Sequence, residues 1–364
     1  MLDYSIIFYE EVELFMNKLP VVLLLVVLLI TLGMQSDAEI VITSSLKAYS
    51  HLFLTNTLFY SDILLDINGG NKYGGGIILT PISYGDISNV SVIVEKVEFF
   101  VDVFNIFKLY YWYGNKEYLG YLSSLQTRFY QLSEYFDFKG WYVITGTGLN
   151  LDLSLLSDAI LISSYIYRSP FEPGIGSLGL KLVGRYRDVQ LSIFSGISEG
   201  FLRGGVELKT FFRSLNAYIV AGIDSISLTN ISLSSDRLYA LVEQRLNFYS
   251  ADNSWGFEEI LTLLVKPMIY KGLQRTNDIS DVDIRSIIGL SFFRSIMIGA
   301  EGIISIYNIL QPVTLISISS ELGAFIGFEN NNILIKLQPI FLVLNTSTNQ
   351  LPSFRVSLLG ELRF

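Results

Sequence analysis

Long alternating stretches, each with one fully apolar face, constrain this chain more than any other feature. In residues 237–249 the even positions are nearly all apolar, whereas the odd positions include Arg237, Glu243 and Arg245. Side chains of a β-strand alternate between the two faces of a sheet, so this spacing predicts a strand with one oily and one polar face. Such runs extend over about ten residues, which is also the length of a tilted strand that crosses a bilayer.

The same period-two pattern recurs along the chain in residues 178–187, 202–213, 314–328 and 353–364, separated by turn residues. Segment 332–344 is apolar on both faces, which leaves its register open. At ~22–25 residues per strand and connector, residues 39–364 would give about 14 strands, with 12 or 16 as alternatives, because bacterial membrane barrels have even strand numbers. The sequence therefore predicts an all-β fold.

Helical structure is expected only in a minor role. After residue 39 no apolar run reaches the length of a membrane-spanning helix, and no long helical blocks separate the strands, so a βαβ architecture is not expected. Residues 117–132 place leucines at helical spacing and predict a short helix in a loop or a plug. The motif Gly-Thr-Gly at 146–148 is expected to let a strand bend or pack closely.

Composition excludes several kinds of site. The chain has no cysteine, so disulfides, thiolate metal sites and cysteine nucleophiles are absent, and it has one histidine, His51. A metal site built from several histidines is impossible, and a Ser-His-Asp triad would have to rest on His51, which has no visible partners. The net charge of −9 argues against nucleic acid as a partner. We therefore expect no enzymatic activity and no cofactor or metal.

The N-terminal region has the order of a secretory signal peptide. Lys18 is followed by an apolar run from Leu19 to Gly33 and by small residues at Ser36 and Ala38, so we place a signal peptide at 16–38 with cleavage after Ala38. An uncleaved membrane anchor is the alternative. Residues 1–15 are acidic and do not fit ahead of a signal peptide, which suggests that translation starts at Met16. In the remaining domain, 39–364, residues 39–70 would form the first strands or a partial plug.

Alternation alone does not tell which face of the strands points inward. A soluble or periplasmic β-protein buries its apolar face, whereas a membrane barrel turns that face to lipid and lines its lumen with the polar face. The leader, the long strands and their aromatic residues favour the membrane arrangement. We expect the aromatic runs at 108–114 and 164–168 to sit at the membrane interfaces, where a ring can be half wet.

The last residues, "VSLLGELRF", resemble the closing strand of bacterial outer-membrane β-barrel proteins, which commonly ends in Phe or Trp. The resemblance implies a transmembrane antiparallel up-and-down barrel in the bacterial outer membrane, in contact with outer-membrane lipid. It also implies that Phe364 serves as the signal read by the barrel-assembly machinery. Closure of the ring would explain why so many strands need no edge protection.

The polar faces supply the candidate functional residues. We expect the following side chains to line the lumen: Lys181, Arg185, Arg187, Arg203, Glu207, Lys209, Arg213, Arg237, Glu243, Arg245, Glu258, Glu301, Glu321, Lys336, Arg355, Glu361 and Arg363. Charged side chains in a pore orient and select solutes, so the expected function is a channel or passive transporter for small solutes. The basic excess between 178 and 245 weakly favours anionic solutes.

Three alternatives stay open at this point. The same charges could close the lumen by pairing with one another, which would give a structural or surface-interaction barrel without transport. An N-terminal plug would suit a transporter of hydrophobic compounds. A periplasmic or membrane-anchored soluble β-protein would carry the same alternation with the apolar face inside.

Deletion of Phe364 should separate an assembly role from ordinary packing. If this residue is an assembly signal, its deletion will lower the amount of folded barrel in cells much more than it lowers the stability of protein refolded in vitro. Folded barrel can be quantified by heat-modifiable migration in detergent gels. Equal losses in both settings would show that Phe364 only packs.

Overall fold

The computed structural model describes most of the chain after residue 41. The described residues are 42–53, 58–70, 73–84, 90–103, 106–119, 142–169, 176–198, 200–227, 235–252, 254–267, 269–270, 273–274, 280–293, 295–309, 316–330, 333–345 and 353–363. The expected signal peptide at 16–38, the segment 1–15 and Phe364 lie outside these residues.

The described part of the chain is all-β, and eighteen of its strands form one sheet. These are β1 (Ile42–Phe53), β2 (Leu58–Gly70), β3 (Tyr73–Tyr84), β4 (Val90–Val103), β5 (Phe107–Leu119), β6 (Tyr142–Leu155), β7 (Ile160–Arg168), β8 (Gly176–Tyr186), β9 (Val189–Ser198), β10 (Phe201–Phe211), β11 (Leu215–Ser227), β12 (Leu238–Tyr249), β13 (Trp255–Val265), β16 (Val282–Phe292), β17 (Ile296–Tyr307), β18 (Ser317–Glu329), β19 (Ile333–Asn345) and β20 (Ser353–Arg363). A separate hairpin, β14 (Ile269–Tyr270) and β15 (Leu273–Gln274), lies between β13 and β16. A single 3-10 turn at Ser235–Arg237 precedes β12.

Hydrogen bonding closes this sheet into a ring. Each strand pairs antiparallel with its neighbours in chain order, and β20 returns to pair with β1 from Ser45↔Arg363 to Phe53↔Arg355. In hydrocarbon an unpaired backbone group has no water to bond, so only a helix or a closed sheet can cross a bilayer. The predicted transmembrane up-and-down barrel is confirmed as the fold.

The strand count exceeds the prediction of about 14. The estimate assumed longer connectors than the chain has. For example, β8 and β9 are joined by Arg187 and Asp188 alone, and Arg187 takes a positive φ of 51° without being glycine or asparagine. Because Asp188 is the single turn-forming residue of this short connector, β9 was not recognised as a separate strand.

The two ends of the barrel differ in the length of their connectors. At one end, here called the short-turn end, hairpins such as β8–β9, β10–β11 and β16–β17 are joined by only two or three residues. The opposite, long-loop end carries the connectors 120–141 and 266–281. Outer-membrane barrels have short periplasmic turns and longer extracellular loops, which assigns the short-turn end to the periplasm.

The outer face of the barrel is apolar and the inner face holds the charges. On β8, Leu178 is 54% exposed and Leu180 is 46% exposed, whereas Val183 on the opposite face is 3% exposed. At about 3.3 Å per residue and a tilt near 40°, the outward run from Leu238 to Phe248 covers about 25 Å, the height of the apolar band of a membrane barrel. The inverted arrangement of a membrane barrel therefore applies.

Aromatic side chains form a belt at the short-turn end. Exposed members of this belt are Phe107, Tyr186, Phe211, Phe248, Trp255, Phe293 and Phe328. Rings at this height mark the boundary between hydrocarbon and head groups in membrane barrels. Among the described residues, no helix is both long and apolar enough to serve as a membrane span.

Three local expectations can be compared with the structure. Of residues 39–70, the parts 42–53 and 58–70 are barrel strands, so they do not form a plug. The predicted helix at 117–132 is wrong at 117–119, which belongs to β5, and its remainder lies outside the described residues. The open register of 332–344 is resolved by β19, on which Ile335, Leu337 and Phe341 are exposed and face outward.

Gly146 provides a test of the backbone geometry. It has a φ of 139°, and an added Cβ would lie 2.0 Å from the carbonyl oxygen of Arg168 on β7. Gly146→Ala should therefore lower the free energy of unfolding by about 2 kcal/mol or more. Gly176→Ala is the matched control, because a Cβ there meets nothing within 4 Å. Urea titration of both variants in detergent would contradict this reading if they lost stability equally.

Candidate functional site

The inner face of the barrel is the candidate site, and the structure places many of the predicted residues there. The following lie on the buried or half-buried face of a strand: Lys181, Arg203, Glu207, Lys209, Glu243, Arg245, Glu258, Glu301, Glu321 and Lys336. They come from β8, β10, β12, β13, β17, β18 and β19, so they are spread around more than half of the ring.

Four predicted positions lie at the end of a strand or in an adjoining turn. Arg187 and Arg213 are exposed residues of hairpin turns, and Arg237 belongs to the 3-10 turn before β12. Arg185 is exposed at the end of β8, where its Nε donates a hydrogen bond to Gln190 at 3.2 Å. For Arg187, Arg213 and Arg237 the prediction extended the alternation of a strand into the adjoining turn, whereas Arg185 shares the inward register of Lys181 and Val183. Their place in the lumen stays a prediction. Arg355, Glu361 and Arg363 belong to β20 by their backbone, and their side chains lie outside the described ones.

Salt bridges between adjacent strands fill one wall of the interior. Four pairs are almost completely buried: Arg203 with Asp224 at 2.6 Å, Arg245 with Glu258 at 2.8 Å, Lys266 with Asp283 at 2.5 Å, and Arg285 with Glu301. Arg245 also donates to Glu258 through Nη2 at 3.1 Å, which makes a bidentate contact. A charge that is buried without a partner is costly, so each of these pairs stabilises the two side chains that form it.

Glu301 is the centre of the most connected of these groups. Besides its contact with Arg285, it accepts a hydrogen bond from Nε2 of Gln338 at 2.8 Å. Next to Gln338 along the same inner face of β19, the Lys336 ammonium lies 4.1 Å from the centre of the Phe325 ring. The group therefore spans β16, β17, β18 and β19 and cross-links this wall through side chains.

A second set of ion pairs, on β4, β5 and β8, contains more exposed side chains. Glu98 contacts Lys96 at 2.9 Å and Lys116 at 2.8 Å, and Glu117 contacts Lys181. Exposed fractions here range from 10% for Lys116 to 27% for Glu117, against 4% or less in the Arg203, Lys266 and Arg285 pairs and 11% for Arg245. Lys96 and Glu117 are the charges of this wall that are most open to water, at 21% and 27% exposed, and we call it the hydrated wall.

Aromatic residues also lie inside the barrel, contrary to the expectation for two runs. In 108–114 and 164–168 the rings of Trp112, Tyr165 and Tyr167 are buried inside rather than placed at the membrane interface. Trp112 packs edge-on against Tyr165 with ring centres 6.3 Å apart. The runs were misassigned because both faces of these strands carry aromatics, and only the outward ones, such as Tyr111, are exposed.

Sequence reasoning missed the partners of three predicted charges, namely Glu117, Asp224 and Arg285. It also missed two whole groups, Glu98 with its lysines and Asp283 with Lys266. The run "VDIRSIIGLSF" at 282–292 does carry the signal, because Asp283 and Arg285 alternate with apolar residues. With these partners included, the interior is mixed in charge rather than basic. The described residues contain no cluster of three or more possible ligands for a metal ion.

Comparisons with known proteins agree with the fold. No family model matches the chain, and no curated protein is similar to it in sequence. Among solved structures, the chain is similar to OccK2 (OpdF) of Pseudomonas aeruginosa, with a TM-score of 0.53, 9% identity and coverage of 90% of this chain and 98% of that one. It is also similar to the outer membrane protein OpdK of Pseudomonas aeruginosa, with a TM-score of 0.54, 9% identity and coverage of 90% and 99%.

A third similar structure is Wzi of Escherichia coli, described as an outer membrane protein involved in group 1 capsule assembly and as a carbohydrate-binding β-barrel. Its TM-score is 0.55 at 10% identity, with coverage of 88% of this chain and 84% of that one. At such low identities these likenesses concern the fold alone. The chain has the fold of bacterial outer-membrane β-barrels, as the resemblance of its last residues implied.

The buried and hydrated ion pairs should differ in their effect on stability. Glu301→Gln removes the charge that faces Arg285 and should lower the free energy of unfolding by about 3–5 kcal/mol, because a charge stays buried without its partner. Glu117→Gln, the isosteric control on the hydrated wall, should cost about 1 kcal/mol or less, because water can solvate Lys181. Urea unfolding in detergent measures both. A larger loss for Glu117→Gln would contradict the assignment of the two walls.

Proposed function

We propose that the protein is an outer-membrane channel that lets small polar solutes cross through a charged lumen. The observation that carries this proposal is the inward face, where paired charges line a ring of eighteen strands. Barrels of about eight strands are filled by their own side chains, whereas those of about 16–18 strands leave room for an aqueous channel.

The proposed path follows the hydrated wall. On the side of β10 to β17 the ion pairs are buried, so side chains occupy that part of the interior. On β4, β5 and β8 the side chains of Glu98, Lys116 and Glu117 keep exposed fractions between 10% and 27%. A path displaced toward this wall would be narrower than the full lumen of an eighteen-stranded barrel. Such a path favours small solutes.

Mixed charge along this path favours orientation of polar solutes over strong selection for one sign. Lys96, Lys116 and Lys181 face Glu98 and Glu117, so positive and negative groups alternate within a few ångströms. Solutes that carry both charges, or uncharged polar solutes, suit such a wall best. The weak preference for anions inferred from the basic residues at 178–245 is offset by these partners.

The proposed channel also includes further lumen residues, the surrounding lipid and the machinery that inserts the barrel. Of the predicted residues, Lys181, Glu207, Lys209, Glu243, Arg245 and Glu321 would line the interior, together with Arg355, Glu361 and Arg363 of β20. Outer-membrane lipid would surround the barrel, and the barrel-assembly machinery would insert it, with Phe364 as its signal.

A structural barrel without transport is the second candidate. The near-complete burial of the Arg203, Arg245 and Arg285 pairs favours it, because a wall built from paired charges is rigid and can close a lumen. The two candidates differ in one measurable property, which is the passage of ions.

Planar-bilayer recordings of the refolded protein test the channel directly. Discrete conductance steps are expected in KCl, and Lys181→Glu should shift the zero-current potential in a salt gradient toward cation selectivity, because it adds negative charge to the hydrated wall. Arg213→Glu makes the same change in charge in an exposed turn and should shift it little. Absence of conductance would support the structural barrel, and equal shifts in both variants would place the path away from Lys181.

A further inference from the structure

A groove in the outer surface of the barrel lies at the short-turn end, between β7, β8 and β9. It has a volume of about 400 Å³, and its lining comprises Leu156, Ala159, Ile160, Gly184, Tyr186, Val189 and Leu191, together with Arg185. All of the long apolar side chains in this lining are exposed. The groove therefore opens toward the lipid that surrounds the barrel.

A missing side chain creates the groove. Gly184 pairs with Ile160 on one side and with Leu191 on the other, and all three residues face outward. A Cβ at Gly184 would meet only the carbonyl oxygen of Leu191, at 4.0 Å, so the space above this glycine is open. The outward positions nearest to it carry long apolar side chains, Leu182 on β8, Ile162 on β7 and Ile193 on β9, which makes the notch at Gly184 a local feature.

Leu156 and Tyr186 extend the groove beyond the edge of the sheet. Leu156 belongs to the turn between β6 and β7 and is 75% exposed, and Tyr186 at the end of β8 is 71% exposed. The amide of Arg185 donates to the carbonyl of Ala159 at 2.8 Å, which holds the two turns side by side. The groove thus runs from the hydrocarbon region to the height of the lipid head groups.

Charges of both signs flank the end of the groove. The guanidinium of Arg187 lies 5.2 Å from the Tyr186 ring, on the outer side of the barrel, and Asp158 is exposed in the neighbouring turn. Asp188 is exposed beside Arg187, whereas the Arg185 guanidinium is directed to Gln190. A phosphate would bind Arg187, and an ammonium group would be attracted by the carboxylates.

We propose that this groove is a binding site for one zwitterionic glycerophospholipid of the membrane leaflet at the short-turn end. An acyl chain would fill the notch above Gly184, the phosphate would contact Arg187, and the ammonium of a phosphoethanolamine head group would lie near Asp158. The apolar lining matches the acyl chain of such a lipid, and the opposite charges at one end of the groove match its zwitterionic head group.

Native mass spectrometry of the full chain tests the proposal. The protein is refolded in detergent with equal amounts of phosphatidylethanolamine and phosphatidylglycerol, and the lipids that stay bound after detergent exchange are counted. We expect one phosphatidylethanolamine per wild-type chain. Gly184→Leu should reduce that fraction at least tenfold because the side chain fills the notch.

Gly302→Leu is the matched control, because Gly302 is another outward glycine, and its Cβ would meet only Leu322 at 3.8 Å. It should keep the lipid. Asp158→Asn, a change in an exposed turn, should shift the bound lipid toward phosphatidylglycerol, and Arg187→Gln should weaken retention of both lipids. These two variants keep the test valid if Gly184→Leu fails to fold.

The proposal is overturned if the wild type retains no lipid above the level of Gly184→Leu, or if Gly302→Leu loses the lipid equally. Preferential retention of phosphatidylglycerol by the wild type would overturn the zwitterionic assignment. Retention unchanged by Arg187→Gln and Asp158→Asn would show that the turn charges do not recognise the head group.

Discussion

The pairing of β20 with β1 is the interaction on which the rest of the structure depends. Hydrocarbon offers no hydrogen-bond partners, so a sheet in a bilayer has to satisfy every backbone group within itself. The register from Ser45↔Arg363 to Phe53↔Arg355 does this for the last pair of strands and leaves no free edge among the described strands. Closure also assigns a side to every residue, because alternate side chains then point to lipid or to the interior.

The charged side chains inside the barrel differ in how deeply they are buried. On β10 to β17 the paired charges are almost completely buried and are stabilised by partners on adjacent strands, as with Arg285 and Glu301. On β4 and β5 the side chains of Glu98 and Glu117 keep more exposure, at 14% and 27%. The same residue types therefore serve as cross-links on one wall and as the proposed solute path on the other.

The fold class was predictable because the alternation of side chains follows directly from strand geometry, as the exposed leucines of β8 and the buried Glu243 of β12 illustrate. Strand number was less predictable, since the turn at Arg187 has only two residues and a single turn-forming one, Asp188. Ion-pair partners such as Asp224 depend on which strands are neighbours and on a bulge in β10 and β11, and neither is visible from local spacing. The groove at Gly184 likewise needs the register of three strands at once.

The orientation of the two faces can be measured residue by residue, because the chain contains no cysteine. Single cysteines at positions 178 to 182 of β8, spin-labelled in lipid nanodiscs, would report accessibility to oxygen and to a water-soluble nickel chelate. An inverted barrel predicts high oxygen accessibility at Leu178, Leu180 and Leu182 and greater nickel accessibility at Gly179 and Lys181. The opposite phase, or no alternation, would contradict the placement of the apolar face toward lipid and of the charges inside.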